Sequence, residues 1–108
     1  MMNEGDKKRL LAMVALARKA GKLVTGEDSC IKAMRDGKAR LVLLALDASG
    51  NTQKKFRDKA AFYGCDIVSN CTKDEIGRHT GLHNRAAVVV ADESFANKMR
   101  EIISRAGE

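Results

Sequence analysis

Two stretches of this chain are apolar almost without interruption: ARLVLLALD over residues 39–47 and AAVVVAD over residues 86–92. Each has the length of a strand rather than a helix. A strand that is apolar at consecutive positions, instead of alternate ones, must be covered on both faces. Whatever else the chain does, it has to supply helices to both sides of a sheet.

The intervening segments have that character. DKKRLLAMVALARKAGK carries Leu10, Leu11, Val14 and Ala17 at helical spacing, with Asp6 as the expected cap and Gly21 as the stop. Residues 22–25 read as a short strand ahead of Gly26, and a second helix is expected over residues 27–36, burying Cys30, Ile31 and Met34 and ending at Gly37. Asn51 is the expected cap of a third helix that runs through Tyr63, buries Phe56, Ala60 and Tyr63, and stops at Gly64. CDIVS follows as a brief strand. TKDE, residues 72–75, matches the capping box, in which the first and last side chains satisfy each other's backbone N–H groups. A short fourth helix and the polar stretch RHTGLHNR lead into the second apolar run, and Phe95, Met99, Ile102 and Ile103 pattern a closing helix over residues 94–105. This alternation predicts an α/β fold, a three-layer α/β/α sandwich around a mixed sheet of about four strands, with residues 1–108 as a single domain.

Composition narrows the function. The chain has 108 residues, 44% of them hydrophobic, and no proline, which argues against a disordered or linker-rich chain. Its three cysteines form no Cys-x-x-Cys pair or metal-ligand spacing and cannot all pair within one chain, so reduced thiols and a cytoplasmic location are expected. No apolar run approaches the length needed to span a bilayer. The formal charge is +6, and it is uneven. Residues 1–40 hold ten Lys and Arg against five Asp and Glu, whereas residues 41–108 hold ten against nine. A surplus concentrated in the first third suits a basic face turned toward a polyanion.

The junction TGEDSCIK is the first candidate site. A strand that passes through glycine into a helix leaves N–H groups free at the positive end of a dipole, a place that suits phosphate. Here Glu27 and Asp28 occupy that turn. Asp28 and Lys32 lie one helical turn apart, and Arg35 and Asp36 extend the stripe. As plain structure, the acids offset the helix dipole and Asp28 pairs with Lys32 on the surface. As a site, the carboxylate accepts from base N–H groups while Lys32 donates to a base carbonyl or a phosphate, so that base edges are read and not only backbone.

The loop GLHNR, Gly81 to Arg85, is the second candidate. Leu82 beside His83, Asn84 and Arg85 suits packing on an unstacked base, although most polar loops of this kind are connections only. For catalysis, His79 or His83 with Cys71 or Ser69 supplies the residue types but no distinguishing spacing. Neither glycine-rich nucleotide-binding pattern is present. No catalytic residue, metal or cofactor is expected.

GEDSCIK, RLVLLALDAS followed by NTQKKFRDK, and then GRHTGL, RAAVVVAD and FANKM resemble, in that order, the bacterial YlxQ-type proteins. These are similar in turn to the wider seven-Ae family of large-subunit ribosomal proteins, which bind kink-turn RNA. The resemblance runs from about Leu10 to Ile103. It implies a non-catalytic protein that binds a kinked stem with tandem sheared G·A pairs and a bulge, in structured, ribosomal RNA. By position, Gly26, Asp28 and Lys32 match the motif that meets the guanines, and Gly81 and Leu82 match the start of the loop that shields the extruded base. The implied roles are backbone N–H groups of Gly26 to Asp28 for positioning, Asp28 and Lys32 for base edges, Lys22, Arg35 and Arg85 for phosphates, and Leu82 against the base. Thr25, Glu27, Ser29, His83 and Asn84 complete the expected interface. Archaeal and eukaryotic members usually carry Asn then Glu where this chain has Asp28 then Ser29. A monomer is expected. The competing expectation is a protein-interaction or ribosome-assembly module of the same fold with a weakened RNA site.

Overall fold

The computed structural model describes residues 2–83 and 85–106. Along them run α1 (Glu4–Lys19), β1 (Leu23–Thr25), α2 (Glu27–Arg35), β2 (Leu41–Leu44), α3 (Gly50–Tyr63), β3 (Ile67–Val68), α4 (Lys73–Thr80), β4 (Ala87–Val90) and α5 (Glu93–Ala106). The strands form one mixed sheet in the order β1-β4-β2-β3. β4 is antiparallel to both of its neighbours, and β3 is parallel to β2. The two apolar runs therefore become the two central strands. All four residues of each are buried, as expected when α2 and α3 cover one face and α1, packed against α4 and α5, covers the other. The expected three-layer sandwich is what the chain forms.

Several boundaries shift, each for a local reason. α1 begins at Glu4 because the Asn3 side chain accepts from the Asp6 N–H at 2.8 Å. Asp6, the expected cap, instead lies in the first turn with its carboxylate 3.0 Å from Arg9. α3 is capped by Ser49, which accepts from the Thr52 N–H at 3.2 Å, and Asn51 falls inside its first turn. β2 is shorter than its apolar run because Asp47 turns away to cap a neighbour, accepting from the Lys73 N–H at 2.8 Å. The Thr72–Glu75 capping box forms in both directions. Ile31 is only half-buried, and Ala33 takes the core place expected of Ile31 beside Cys30 and Met34. Tyr63, in the last turn of α3, is likewise only partly buried, packed against the core from outside.

Strand direction fixes the site. β1 and β2 both run antiparallel to β4, so their C-terminal ends and the start of β4 share one edge of the sheet. At that edge the chain enters α2 and α3, and the 81–85 loop delivers β4.

Candidate nucleic-acid interface

Gly26 joins β1 to α2 with φ 91° and ψ 135°, a combination outside the regions open to residues with a Cβ. The Gly26 carbonyl accepts from the Cys30 N–H at 2.9 Å. No side chain caps the helix. The N–H groups of its first turn are thus left without a side-chain acceptor, facing outward at the positive end of the helix. Beneath them Cys30 anchors the turn, its thiol directed to the carbonyls of Val24 at 3.4 Å and Ala87 at 3.9 Å. Burial pushes that thiol up to about 12. It stays protonated and ties α2 to two strands.

Asp28, Ser29 and Lys32 are exposed on this helix. The ordinary surface pair expected of Asp28 and Lys32 does not form: among the described residues neither makes an ion pair, so both remain available to a ligand. Glu27 instead reaches across to α3, where its carboxylate lies 3.1 Å from the Lys55 ammonium. Thr25, half-buried, closes β1 opposite Val88.

The second candidate segment comes to the same edge. The Arg85 N–H donates to the Lys73 carbonyl at 3.3 Å, which holds the end of the loop against the start of α4. Gly26, Glu27, Phe56, Arg85, Ala86 and Ala87 enclose a cleft of about 230 Å³. Its lining includes Phe56, which is wholly buried. Arg85 contributes a buried Nε–H that finds no acceptor among the described residues. A buried donor without a partner costs about 1–3 kcal/mol, so the Arg85 guanidinium has a donor to offer if its side chain turns toward the cleft it lines. Gly81 ends α4, and Leu82 is half-buried and His83 exposed, but neither lines the cleft. Asn84 lies outside the described residues.

Lys22 and Arg35 are not brought here. Lys22 precedes β1 and lies four residues, roughly 13 Å, down the strand from Gly26. Arg35 ends α2, more than two turns from its start. Both sit at the opposite edge of the sheet. Conversely, Lys55 and Phe56 belong to the site although nothing near Gly26 in sequence indicates them.

Two of the groups weighed for catalysis, Cys71 and His79, are held in structural contacts. Cys71 is buried, and burial, then the Glu75 charge, pushes its thiol up to about 11, the reverse of an activated nucleophile. His79 directs Nδ1 to the Glu75 carbonyl at 2.9 Å, within its own helix. Among the described residues no cluster of His, Cys, Asp and Glu is placed to hold a metal ion, and no helix is long and apolar enough to cross a membrane.

Residues 8–100 match the model of the ribosomal protein L7Ae/L30e/S12e/Gadd45 family. The chain belongs to this family. Within it, the chain is similar to the RNA-binding protein YlxQ of Enterococcus faecium, with 38% identity over 102 residues, covering 94% of this chain and 98% of that one. The RNA-binding protein YlxQ of Bacillus subtilis strain 168 is 41% identical over 91 residues, covering 84% and 91%. Among solved structures, a Bacillus halodurans protein of unknown function superposes with a TM-score of 0.83 at 34% identity, over 88% of this chain and 96% of that one. The L7Ae/L30e match begins in the first half of α1 and ends in α5, so it takes in every strand and both segments of the cleft.

Proposed function

We propose that this chain is a non-catalytic RNA-binding protein that recognises a kinked stem with tandem G·A pairs in structured RNA, ribosomal RNA above all, acting as a monomeric single domain in the cytoplasm. Relatives that match nearly end to end carry the name RNA-binding protein. The observation that carries the reading for this chain is the unpaired, mixed-sign helix start beside a cleft with an unpartnered guanidinium N–H. Open N–H groups at Gly26 to Asp28 position a backbone or base edge, the Asp28 carboxylate accepts from guanine N–H donors, and Lys32 donates to guanine carbonyl oxygens. The cleft takes the extruded nucleotide, with Arg85 donating from its wall, and Leu82, outside the cleft, packs on the neighbouring part of the RNA from the loop.

Titration against a kinked G·A stem and a plain duplex of equal length tests this directly. The intact chain should prefer the kinked RNA, and Lys32→Ala should weaken that complex by about 1–3 kcal/mol while sparing the duplex. Equal affinity for bent and straight RNA would refute the proposal. An equal loss on both would make Lys32 a phosphate contact.

A further inference from the structure

The surplus charge of the first forty residues is concentrated away from the Gly26 cleft. Of its ten basic residues, six, Arg18, Lys19, Lys22, Arg35, Lys38 and Arg40, are exposed where α1 and α2 end and β1 and β2 begin, at the edge of the sheet opposite the cleft. Two helix endings of one design place them. α1 and α2 both terminate at a glycine with positive φ, Gly21 and Gly37, and in each case the lysine that follows donates its N–H back into the helix, Lys22 to Ala17 at 2.8 Å and Lys38 to Ala33 at 2.9 Å. Hydrogen bonds then fix Lys22 and Arg40 on either side of β4: the Lys22 carbonyl accepts from Ala91 at 2.9 Å, and the Arg40 N–H donates to Val90 at 2.8 Å. Two strand spacings separate them, about 10 Å.

Helix dipoles account for part of this. Cations in a last turn are favourable, which covers Arg18, Lys19 and Arg35. They do not cover Lys22, Lys38 and Arg40, which lie beyond the helices. Nor does α3, which ends at the same edge, carry a basic residue in its last turn. One acid, Asp36, stands inside the cluster and pairs with Arg35 at 3.4 Å, and the other nearby acids are mostly occupied. Asp66 and Glu93 are both held by Arg100, at 3.0 and 3.4 Å, and the Asp92 carboxylate caps α5 through the Phe95 N–H at 3.0 Å. Among the described residues Arg18, Lys19, Lys22 and Lys38 make no ion pair, while Arg35 and Arg40 make loose ones, at 3.4 and 3.8 Å.

We infer that this distal edge is a second RNA-binding surface, which grips the phosphates of a duplex segment separate from the one read at Gly26, so that the protein bridges two parts of a folded RNA. The six side chains are flexible cations without a buried aromatic or apolar anchor among them, which suits a phosphate backbone and lacks the centre of a protein hot spot. The roughly 13 Å between the edges exceeds the screening length of about 8 Å at physiological salt. Cations at the distal edge therefore contribute little to an RNA confined to the cleft, and act through their own contacts. RNA as the ligand rests on the function proposed above.

The test uses the full chain saturated with unlabelled kinked stem, to which a labelled plain duplex is then added at several salt concentrations. The duplex should still bind, with a steep salt dependence. Lys19→Ala/Lys38→Ala/Arg40→Ala should weaken that second binding by at least about tenfold and reduce the slope of log K against log salt by about 3, with a melting temperature lowered by no more than about 8 °C through the lost dipole contact of Lys19 and unchanged affinity for a short kinked stem measured below that midpoint. Loss of duplex binding on saturation with kinked RNA would reduce the two surfaces to one and overturn the inference. So would an equal loss in Arg57→Ala/Arg78→Ala/Arg105→Ala, which removes the same charge elsewhere, or equal displacement of the duplex by polyaspartate from both triple variants. If the duplex binds through the distal edge but the cleft shows no preference for kinked RNA, the cleft reading falls and this one stands.

Discussion

Gly26 is where backbone geometry and ligand contact can be separated experimentally. Its φ of 91° and ψ of 135° lie where a residue with a Cβ is strained, and positions of this kind cost about 1–3 kcal/mol. The strain in Gly26→Ala is conformational, because an added Cβ would meet nothing closer than the Ser29 Oγ at 4.0 Å. For a domain near this size each kcal/mol lowers the melting midpoint by about 4–8 °C, so a fall of roughly 5–20 °C is expected by circular dichroism. Gly37→Ala is the matched control: φ there is 72° and an added Cβ meets nothing within 4 Å, for a comparable cost of about 1–2 kcal/mol. Measured well below both midpoints, Gly26→Ala should lose at least about tenfold in affinity for kinked RNA, near 1.4 kcal/mol, because the outward N–H groups turn with the backbone. Gly37→Ala should keep wild-type affinity. An unchanged midpoint in Gly26→Ala would refute the strain argument, and full RNA affinity in a destabilised Gly26→Ala would remove the open helix start from the interface.

Thr72→Ala removes one half of the reciprocal cap on α4 and should cost about 1 kcal/mol, read by urea denaturation. Although burial opposes it, hydrogen bonding by the Thr72 N–H and the Lys7 ammonium hold the Glu75 carboxyl below its ordinary value of 4.5. Stability from this group is therefore complete above that value and is lost as pH falls through the lower folded one, so the deficit of Glu75→Gln relative to wild type should shrink below pH 4.5; a deficit independent of pH would contradict this. Lys55→Ala should change stability by less than about 1 kcal/mol, since its pair with Glu27 is exposed. It should nevertheless weaken RNA binding several-fold at low salt by leaving an unneutralised carboxylate on the cleft wall, an effect that added salt should erase.

What the sequence discloses depends on how local the determining interactions are. The capping box at Thr72 and Glu75 is complete within four residues and was readable as it stands. The central strands were readable because covering on both faces leaves a continuous apolar run. Helix starts were placed less well: Asn3 and Asp6 are both good caps, as are Ser49 and Asn51, and only the backbone geometry selects between them. The grouping of Gly26, Asp28 and Lys32 was legible because glycine, acid and base fall within seven consecutive residues of one helix and its cap. Phe56 and Lys55 were not, since α3 brings them in from about thirty residues away. Lys22 and Arg35 were grouped with Gly26 because they are near it in sequence. A strand leading in and a helix leading out carry both to the other edge.

That separation gives the two edges different chemistry. At Gly26 the first-turn N–H groups have no side-chain cap, the unpaired carboxylate and ammonium stand on a helix, and Arg85 lines the cleft beside them. Directional donors and acceptors held in place can tell one base edge from another. At the distal edge the helix ends close on their own carbonyls through Gly21 and Gly37, leaving only mobile lysines and arginines. Such groups follow charge and carry little sequence information. Replacing the G·A pairs of a bound RNA with Watson–Crick pairs should therefore abolish the contribution of Asp28 and Lys32 while leaving that of Lys38 and Arg40 intact, and pairwise substitution of the two sets should be additive in binding free energy. Strong coupling between them would mean that one RNA segment touches both edges, and would overturn the reading of two separate surfaces.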